Sequence, residues 1–323
     1  MLRNSPAMCE RNGRPVEKIG ARVLAAMPLP AYDSTASKAE RGKLLIVAGS
    51  SRLPGAALLA ALAALRVGCG TVRLAAPERI ALALGVAQPE LMVIPLPESG
   101  DCLDAARARA EIERQYDACQ AIVLGPGLEE SEACAEVVRA VVACAPRPMV
   151  VDAQALYDWH GCEAGARGRF EAGAGPRVFT PHPGELSRIL GRPAEDLAAE
   201  AESVARGFAR ERRCVLVMKG AQTLIASPDG RLLRNMAGSR ALGTAGSGDT
   251  LAGAIGGLLA QGLDATAAAV WGVHLHALCG ERAGREIGLD GVLARDLLDR
   301  LPLVLRDLRG RTDPRRRPRR QPG

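Results

Sequence analysis

Residues 43–77 read KLLIVAGSSRLPGAALLAALAALRVGCGTVRLAAP, and the fold class turns on how this stretch divides. KLLIVAG (43–49) and TVRLAAP (71–77) are short apolar runs bounded by turn residues. Between them, GAALLAALAALRV (55–67) is a longer Ala/Leu segment with helical spacing. Strand, helix and strand in so short a span make a βα unit rather than a hairpin. Several of the chain's strand candidates are apolar on both faces, which suits a parallel sheet covered by helices on each side.

The alternation continues outward. LMVIPL (91–96), AIVLG (121–125), PMVVDA (148–153), RVFTP (177–181) and CVLVMKG (214–220) read as further strands, and 131–143, 194–211 and 264–285 as helices. QTLIAS, the turn PDG and RLLRN form a hairpin after the last strand, and 249–305 is mostly helix. The Gly-rich GCEAGARGRFEAGAGP (161–176) is expected to be a surface loop. No fixed-period repeat and no linker interrupts the body, so the expectation is an α/β chain with one domain over 20–309. A flexible arm (1–19) precedes it and a disordered Arg-rich tail (310–323) follows.

Composition narrows the function classes. Forty-eight per cent hydrophobic residues in 323 is enough for a sizeable core, and with only 2% aromatics that core must be Ala, Leu and Val. The net charge of +6 is matched by the stretch from Arg309 onward, which holds seven arginines and one aspartate. The body is therefore about neutral, and basicity says nothing about it; the tail could make nonspecific, salt-sensitive phosphate contacts but lacks aromatic residues for base stacking, so a nucleic-acid partner is not expected. No apolar run spans a membrane and the N-terminus has no signal-peptide stretch, so no membrane partner and a cytoplasmic location are expected. The nine cysteines are scattered without a C-x-x-C pair and read as reduced, small hydrophobes.

In open parallel sheets ligands bind beyond the carboxyl ends of the strands. There the chain offers SSRLPGAA, PGL, AQAL, PHPGE and KGAQT, and then GTAGSGDTLAG (243–253). In this last stretch Asp249 is a lone acid among small residues at the start of a helix, whose first N–H groups point outward unpaired. Gly246 and Gly248 leave room for a ligand to approach them, making an anion niche favoured by the helix dipole. A plain capping role for Asp249 stands beside the ligand-binding one. Gly253, Gly256 and Gly257 inside the helix are costly and imply close packing against a neighbour. The stretch matches neither G-x-S-x-G nor G-x-G-x-x-G, and the chain has no P-loop. His182 reads as a cap or a ligand contact, Glu185 as the N3 acid of a helix starting near Pro183, and Lys219 as a solvated strand end or a phosphate contact. His274 and His276, two apart on a helix, face different ways and are no zinc pair.

Seven motifs in order, LLIVAGSSRLPGAALLAALAALRVGCGTV, QPELMV, GPGL, VVDAQAL, TPHPGE, VMKGAQT and GTAGSGDTLAGAIGGLLAQG, resemble the ADP-dependent NAD(P)H-hydrate dehydratase family of the ribokinase-like superfamily. The resemblance runs from about Lys38 to Leu305 and implies a three-layer α/β/α sandwich. It implies a lyase that removes water from the S form of hydrated NADH or NADPH, consuming ADP and releasing AMP and phosphate. By the same resemblance Ala56, Gly127, His182 and Asp249 contact the hydrated dinucleotide, and Lys219, Gly220, Ala221, Gln222, Thr223 and Gly248 hold the adenine nucleotide. The resemblance further implies that Asp249 is the base that deprotonates the C6 hydroxyl so that it accepts the β-phosphoryl of ADP. The resemblance also implies that Glu185 organises Mg²⁺ through water. A separate epimerase as pathway partner and a homo-oligomer, taken as a tetramer, are implied as well. Departures cluster before the motif: GNPGLATGG of the family is GSRALGTAG (238–246) here, GGS is AGS (48–50), and the second acid of DADAL is Gln154. Two alternatives remain: a small-molecule kinase of the same fold with ATP as donor, and an inactive relative whose Arg-rich tail binds nucleic acid.

Overall fold

The structure, a computed structural model, describes residues 14–32, 37–160 and 170–312. Its strands are β1 (Glu17–Lys18), β2 (Lys43–Val47), β3 (Thr71–Pro77), β4 (Met92–Leu96), β5 (Glu98–Ser99), β6 (Cys102–Leu103), β7 (Ala121–Leu124), β8 (Met149–Val151), β9 (Arg177–Phe179), β10 (Val215–Met218), β11 (Thr223–Ala226) and β12 (Leu232–Asn235). Ten of them form one sheet in the order β1-β12-β11-β10-β9-β8-β7-β2-β3-β4, while β5 and β6 make a separate ribbon. All neighbours in the sheet run parallel except β11, which is antiparallel to both β10 and β12. The hairpin read from QTLIAS–PDG–RLLRN is this β11–β12 pair. The strand order reverses at the β2–β7 contact, where Leu44 pairs with Ala121 and Val47 with Leu124.

The helices are α1 (Ala21–Ala25), α2 (Pro54–Arg66), α3 (Glu78–Ala87), α4 (Ala105–Glu113), α5 (Glu132–Cys144), α6 (Gln154–His160), α7 (Pro183–Leu190), α8 (Ala194–Ala199), α9 (Ala201–Glu211), α10 (Ser247–Ala260), α11 (Ala265–Ile287), α12 (Ala294–Leu298) and α13 (Leu301–Thr312). They cover the two faces of the sheet, as the two-sided apolar strands require. In β2, Leu44 and Ile46 join the core beneath α2, α10 and α11, whereas Leu45 and Val47 join the core beneath α4, α5 and α9. The small residues let helices approach closely. A Cβ on Gly253 of α10 would lie 2.0 Å from the carbonyl oxygen of Ala60 in α2, and one on Gly256 would lie 2.2 Å from Val123 in β7. The costly glycines thus buy contact between α10, α2 and the sheet.

Several boundaries differ from the sequence reading. Strands end earlier than their apolar runs, β9 at Phe179 and β10 at Met218, because the next residues turn into the site. The helix expected over 194–211 is two helices, broken at Glu200 (φ −110°, ψ 22°), whose carbonyl accepts a hydrogen bond from the Ser203 hydroxyl. The arm is not free up to residue 19: β1 adds to the sheet edge beside β12, Ile19 N donates to the Arg234 carbonyl, and Glu17 pairs with Arg231 at 3.2 Å. The tail boundary at 310 also moves, since α13 continues to Thr312; residues 1–13, 161–169 and 313–323 lie outside the described ones.

Candidate active site

Three strands deliver polar groups from their carboxyl ends to one cavity of about 950 Å³. Asp152 follows β8, His182 and Glu185 follow β9, and Lys219 follows β10; the first turn of α10 faces them. Ala153 holds a left-handed backbone (φ 51°), which turns the chain sharply after Asp152. The Thr180 hydroxyl donates to Asp152 Oδ1 at 2.7 Å and Lys219 Nζ donates to the same oxygen at 3.0 Å. Lys219 also lies 3.5 Å from Glu185 Oε2. Burial opposes the charge on Lys219, but the two carboxylates prevail and hold its ammonium above the ordinary lysine value.

His182 and Glu185 realise the local reading in full. His182 is the N-cap of α7, its Nδ1 accepting from the N–H of Gly184 and Glu185, and Glu185 Oε2 accepts the His182 N–H at 2.7 Å. Two bonds into Nδ1 place the imidazole proton of the neutral ring on Nε2. The capping box fixes Glu185 so that its carboxylate faces Lys219.

Asp249 behaves otherwise. It is the third residue of α10; the N-cap is Gly246, in a left-handed conformation (φ 86°), and no side chain caps this helix. The backbone N–H groups of Gly248 and Asp249 find no acceptor among the described residues, nor does the Asp249 carboxylate find a hydrogen-bond or ion-pair partner there. Burial first, and the neighbouring Asp152 and Glu185 charges after it, push its carboxyl up to about 7, with Lys219 pulling the other way. A plain cap is excluded, since a capping carboxylate would be hydrogen bonded. What remains is a desolvated carboxyl poised near neutrality beside free helix N–H groups: a proton acceptor next to an anion niche.

The two glycines before Asp249 have different jobs. A Cβ on Gly246 would meet Leu59 of α2 at 2.5 Å, so this glycine is needed for packing and for the turn at the cavity's edge. A Cβ on Gly248, which lines the cavity, would stand in ordinary contact with Lys219 Nζ at 3.5 Å and Asp152 Oδ2 at 3.8 Å.

Of the residues singled out in the sequence, His182, Glu185, Lys219, Gly220, Ala221, Thr223, Gly248 and Asp249 line the cavity. Gln222 does not; its side-chain oxygen accepts from Arg234. Ala56 and Gly127 pack against each other above the β2–β7 contact, where a Cβ on Gly127 (φ 65°) would lie 2.7 Å from the Ala56 methyl. The departing segment 238–246 forms a wall: Ser239 caps a 3₁₀ turn over Arg240–Leu242, Gly238 N–H donates to Glu281, and Leu242 seats on Gly280 of α11.

Two participants were not assigned from sequence. Asp152 lay in the quoted VVDAQAL, and the signal was an acid ending a wholly apolar buried strand. The other is a buried pair, Ser247 Oγ and His276 Nε2, 3.1 Å apart at the cavity wall. His276 and His274 do face different ways, as the helical spacing implied: His274 Nδ1 meets Asn235 Oδ1. Among the described residues no cluster of three His, Cys, Asp or Glu forms a ready metal cage.

A family described as NAD(P)H-hydrate dehydratase matches residues 44–303. The chain is 39% identical over 294 residues to the ADP-dependent (S)-NAD(P)H-hydrate dehydratase of Xanthomonas campestris, covering 91% of this chain and 97% of that one. It is 39% identical to the bifunctional NAD(P)H-hydrate repair enzyme of Moorella thermoacetica, covering 87% of this chain and 52% of the relative, so it spans about half of that protein. Among solved structures it resembles the ADP/ATP-dependent NAD(P)H-hydrate dehydratase of Bacillus subtilis co-crystallised with ATP/Mg²⁺, with a TM-score of 0.76, 32% identity, and 91% and 99% of the two chains covered.

Proposed function

The chain belongs to the NAD(P)H-hydrate dehydratase family, with its ribokinase-like three-layer fold, and on that premise we propose how its cavity carries out the reaction. It is an ADP-dependent dehydratase, a lyase that restores NADH or NADPH from the S form of their hydrates. The observation that carries the mechanism is the unpartnered, half-buried Asp249 with its carboxyl near neutrality. Asp249 takes the proton of the C6 hydroxyl, and that oxygen accepts the β-phosphoryl of ADP, releasing AMP. Phosphate then leaves C6 far more readily than hydroxide does. The free N–H groups of Gly248 and Asp249 stabilise the phosphoryl group in transit, already oriented before it arrives.

Lys219 spends two of its three N–H donors on Asp152 and Glu185 and turns the third to the nucleotide phosphates. Gly220, Ala221 and Thr223, which line the cavity, hold the adenine nucleotide together with Gln222 between them in the chain. His182, Ala56 and Gly127 hold the hydrated dinucleotide, the last two at the point where the strand order reverses. No group of three His, Cys, Asp or Glu among the described residues could ligate a metal directly, so a magnesium ion here would be held largely through its own water. Glu185 would hold it through that water. When bound, it offsets the charge of the transferring phosphoryl group.

The second half of the bifunctional relatives supports a separate epimerase acting beside this chain. No helix among the described residues is long and apolar enough to cross a membrane, and we place the protein in the cytoplasm. Leu82 and Val86, 80% and 76% exposed on α3, supply an apolar contact for the expected homo-oligomer, a tetramer in our reading.

The test is incubation of enzymatically hydrated NADH with the protein and ADP, ATP or no nucleotide. Recovery of NADH absorbance matched by AMP release is expected with ADP and none without nucleotide. No recovery with either nucleotide would sink the reading and favour a kinase of the same fold.

A further inference from the structure

The adenine nucleotide that the dehydratase reading brings to the cavity is strongly anionic, yet the cavity it enters is rich in acids. Apart from two histidines, the ionisable residues lining it are Asp152, Glu185 and Asp249 against Lys219 and Arg240. Lys219 is already engaged by two carboxylates, at 3.0 Å from Asp152 Oδ1 and 3.5 Å from Glu185 Oε2. Its ammonium has one donor left for a phosphate.

Arg240 is placed differently. Its guanidinium pairs at 2.9 Å with Asp290, which does not line the cavity, and the two side chains are 67% and 85% exposed. A pair so open to water contributes little and is readily exchanged for another anion. The backbone beneath it is pinned: Ser239 Oγ accepts the Ala241 N–H at 3.2 Å, Ala241 is buried, and Leu242 seats on Gly280 of α11. The side chain can swing while its Cα stays at the wall. Arginine suits a phosphate, since its planar fork of donors meets two oxygens at once. The position is also one where the chain departs from the family pattern, reading GSRAL for GNPGL, so this cation stands where that pattern has proline.

The anion within reach is the nucleotide. Gly220, Ala221 and Thr223, given above to the adenine nucleotide, line the same cavity as Arg240, whereas Ala56 and Gly127, given to the dinucleotide, do not. We propose, resting on the dehydratase reading for the identity of the nucleotide, that Arg240 leaves Asp290 when ADP binds and donates to the ADP phosphates. Asp290 and ADP then compete for one guanidinium.

The experiment measures the Kd of ADP with Mg²⁺ by calorimetry, and kcat with the KM of ADP and of hydrated NADH, for wild type, Arg240→Gln, Arg240→Lys and Asp290→Asn. Arg240→Gln is expected to raise the Kd and KM of ADP roughly tenfold while leaving kcat and the KM of the hydrate within about twofold. Arg240→Lys, which keeps the charge without the fork, should fall between wild type and Arg240→Gln. Asp290→Asn, which frees the guanidinium, should bind ADP at least as tightly as wild type. An unchanged Kd for ADP in Arg240→Gln would overturn the proposal. So would ADP binding weakened equally in Asp290→Asn, which would make the pair a brace for the wall, or a raised KM confined to the hydrate, which would give Arg240 to the dinucleotide. If wild type binds ADP but restores no NADH, the dehydratase reading fails, while the Kd comparison still decides what Arg240 holds.

Discussion

In the proposed mechanism Asp249 concentrates the chemistry in one side chain, and its environment has a measurable cost. An acid whose folded-state value lies above its unfolded one binds its proton more tightly in the native protein, so folding stability falls as pH rises from about 4 to about 7 and levels off above that. Asp249→Asn removes this penalty: the unliganded variant should be more stable than wild type at pH 8, by roughly 1–3 kcal/mol, and equal to it near pH 4, which denaturant titration at the two pH values checks. The same ionisation should give kcat/KM an ascending limb centred near pH 7, tenfold per unit below it, in an initial-rate profile. At this scale the sequence disclosed the acid and its glycines, but not that it lacks a partner. Nor did it assign Asp152, because the partners of Asp152 arrive from Thr180 and Lys219 on other strands, and one chain order shows no such meeting.

At the scale of elements, α10 holds its place by the absence of side chains. Gly253→Ala would drive a methyl into the Ala60 carbonyl of α2, a backbone atom that cannot swing aside, and should cost roughly 1–3 kcal/mol in denaturant unfolding. Gly55→Ala, where a Cβ meets nothing, should be neutral or slightly stabilising in the same assay. Arg177 ties another junction: fully buried in β9, its guanidinium donates to the carbonyls of Val142, Ala145, Arg147 and Gly175 at the end of α5 and the loops beyond it. Arg177→Met removes these donors, leaving Ala145 only the Gly175 N–H, and should cost about 3–5 kcal/mol, read as a lower melting temperature. Close packing of α10 was legible from its interior glycines. The Arg177 clasp was not, because a lone arginine opening a short strand reads as a solvent-facing residue until the carbonyls gather around it. The break at Glu200 was equally hidden, with no Gly or Pro to announce it.

For the molecule as a whole, the alternation of apolar runs with Ala/Leu helices was enough to give a mostly parallel sheet between two helical layers. Strand order was beyond reach of local pattern, and with it the meeting of the β8, β9 and β10 ends with α10. The cavity is prebuilt by these elements, so ligands that fill it stabilise the folded state: ADP with Mg²⁺ at about a hundred times its Kd should add roughly 2.7 kcal/mol, visible as a raised melting temperature. The central claim is that Asp249 is the base of an ADP-dependent dehydration and not a cap for its helix. It is tested most directly by measuring, on Asp249→Asn, turnover of hydrated NADH with ADP together with the Kd of ADP and of the hydrate. The account predicts a folded variant with no detectable NADH recovery or AMP release and both Kd values within about tenfold of wild type, about 1.4 kcal/mol. A variant that is less stable than wild type yet turns over at the wild-type rate per folded molecule would contradict it.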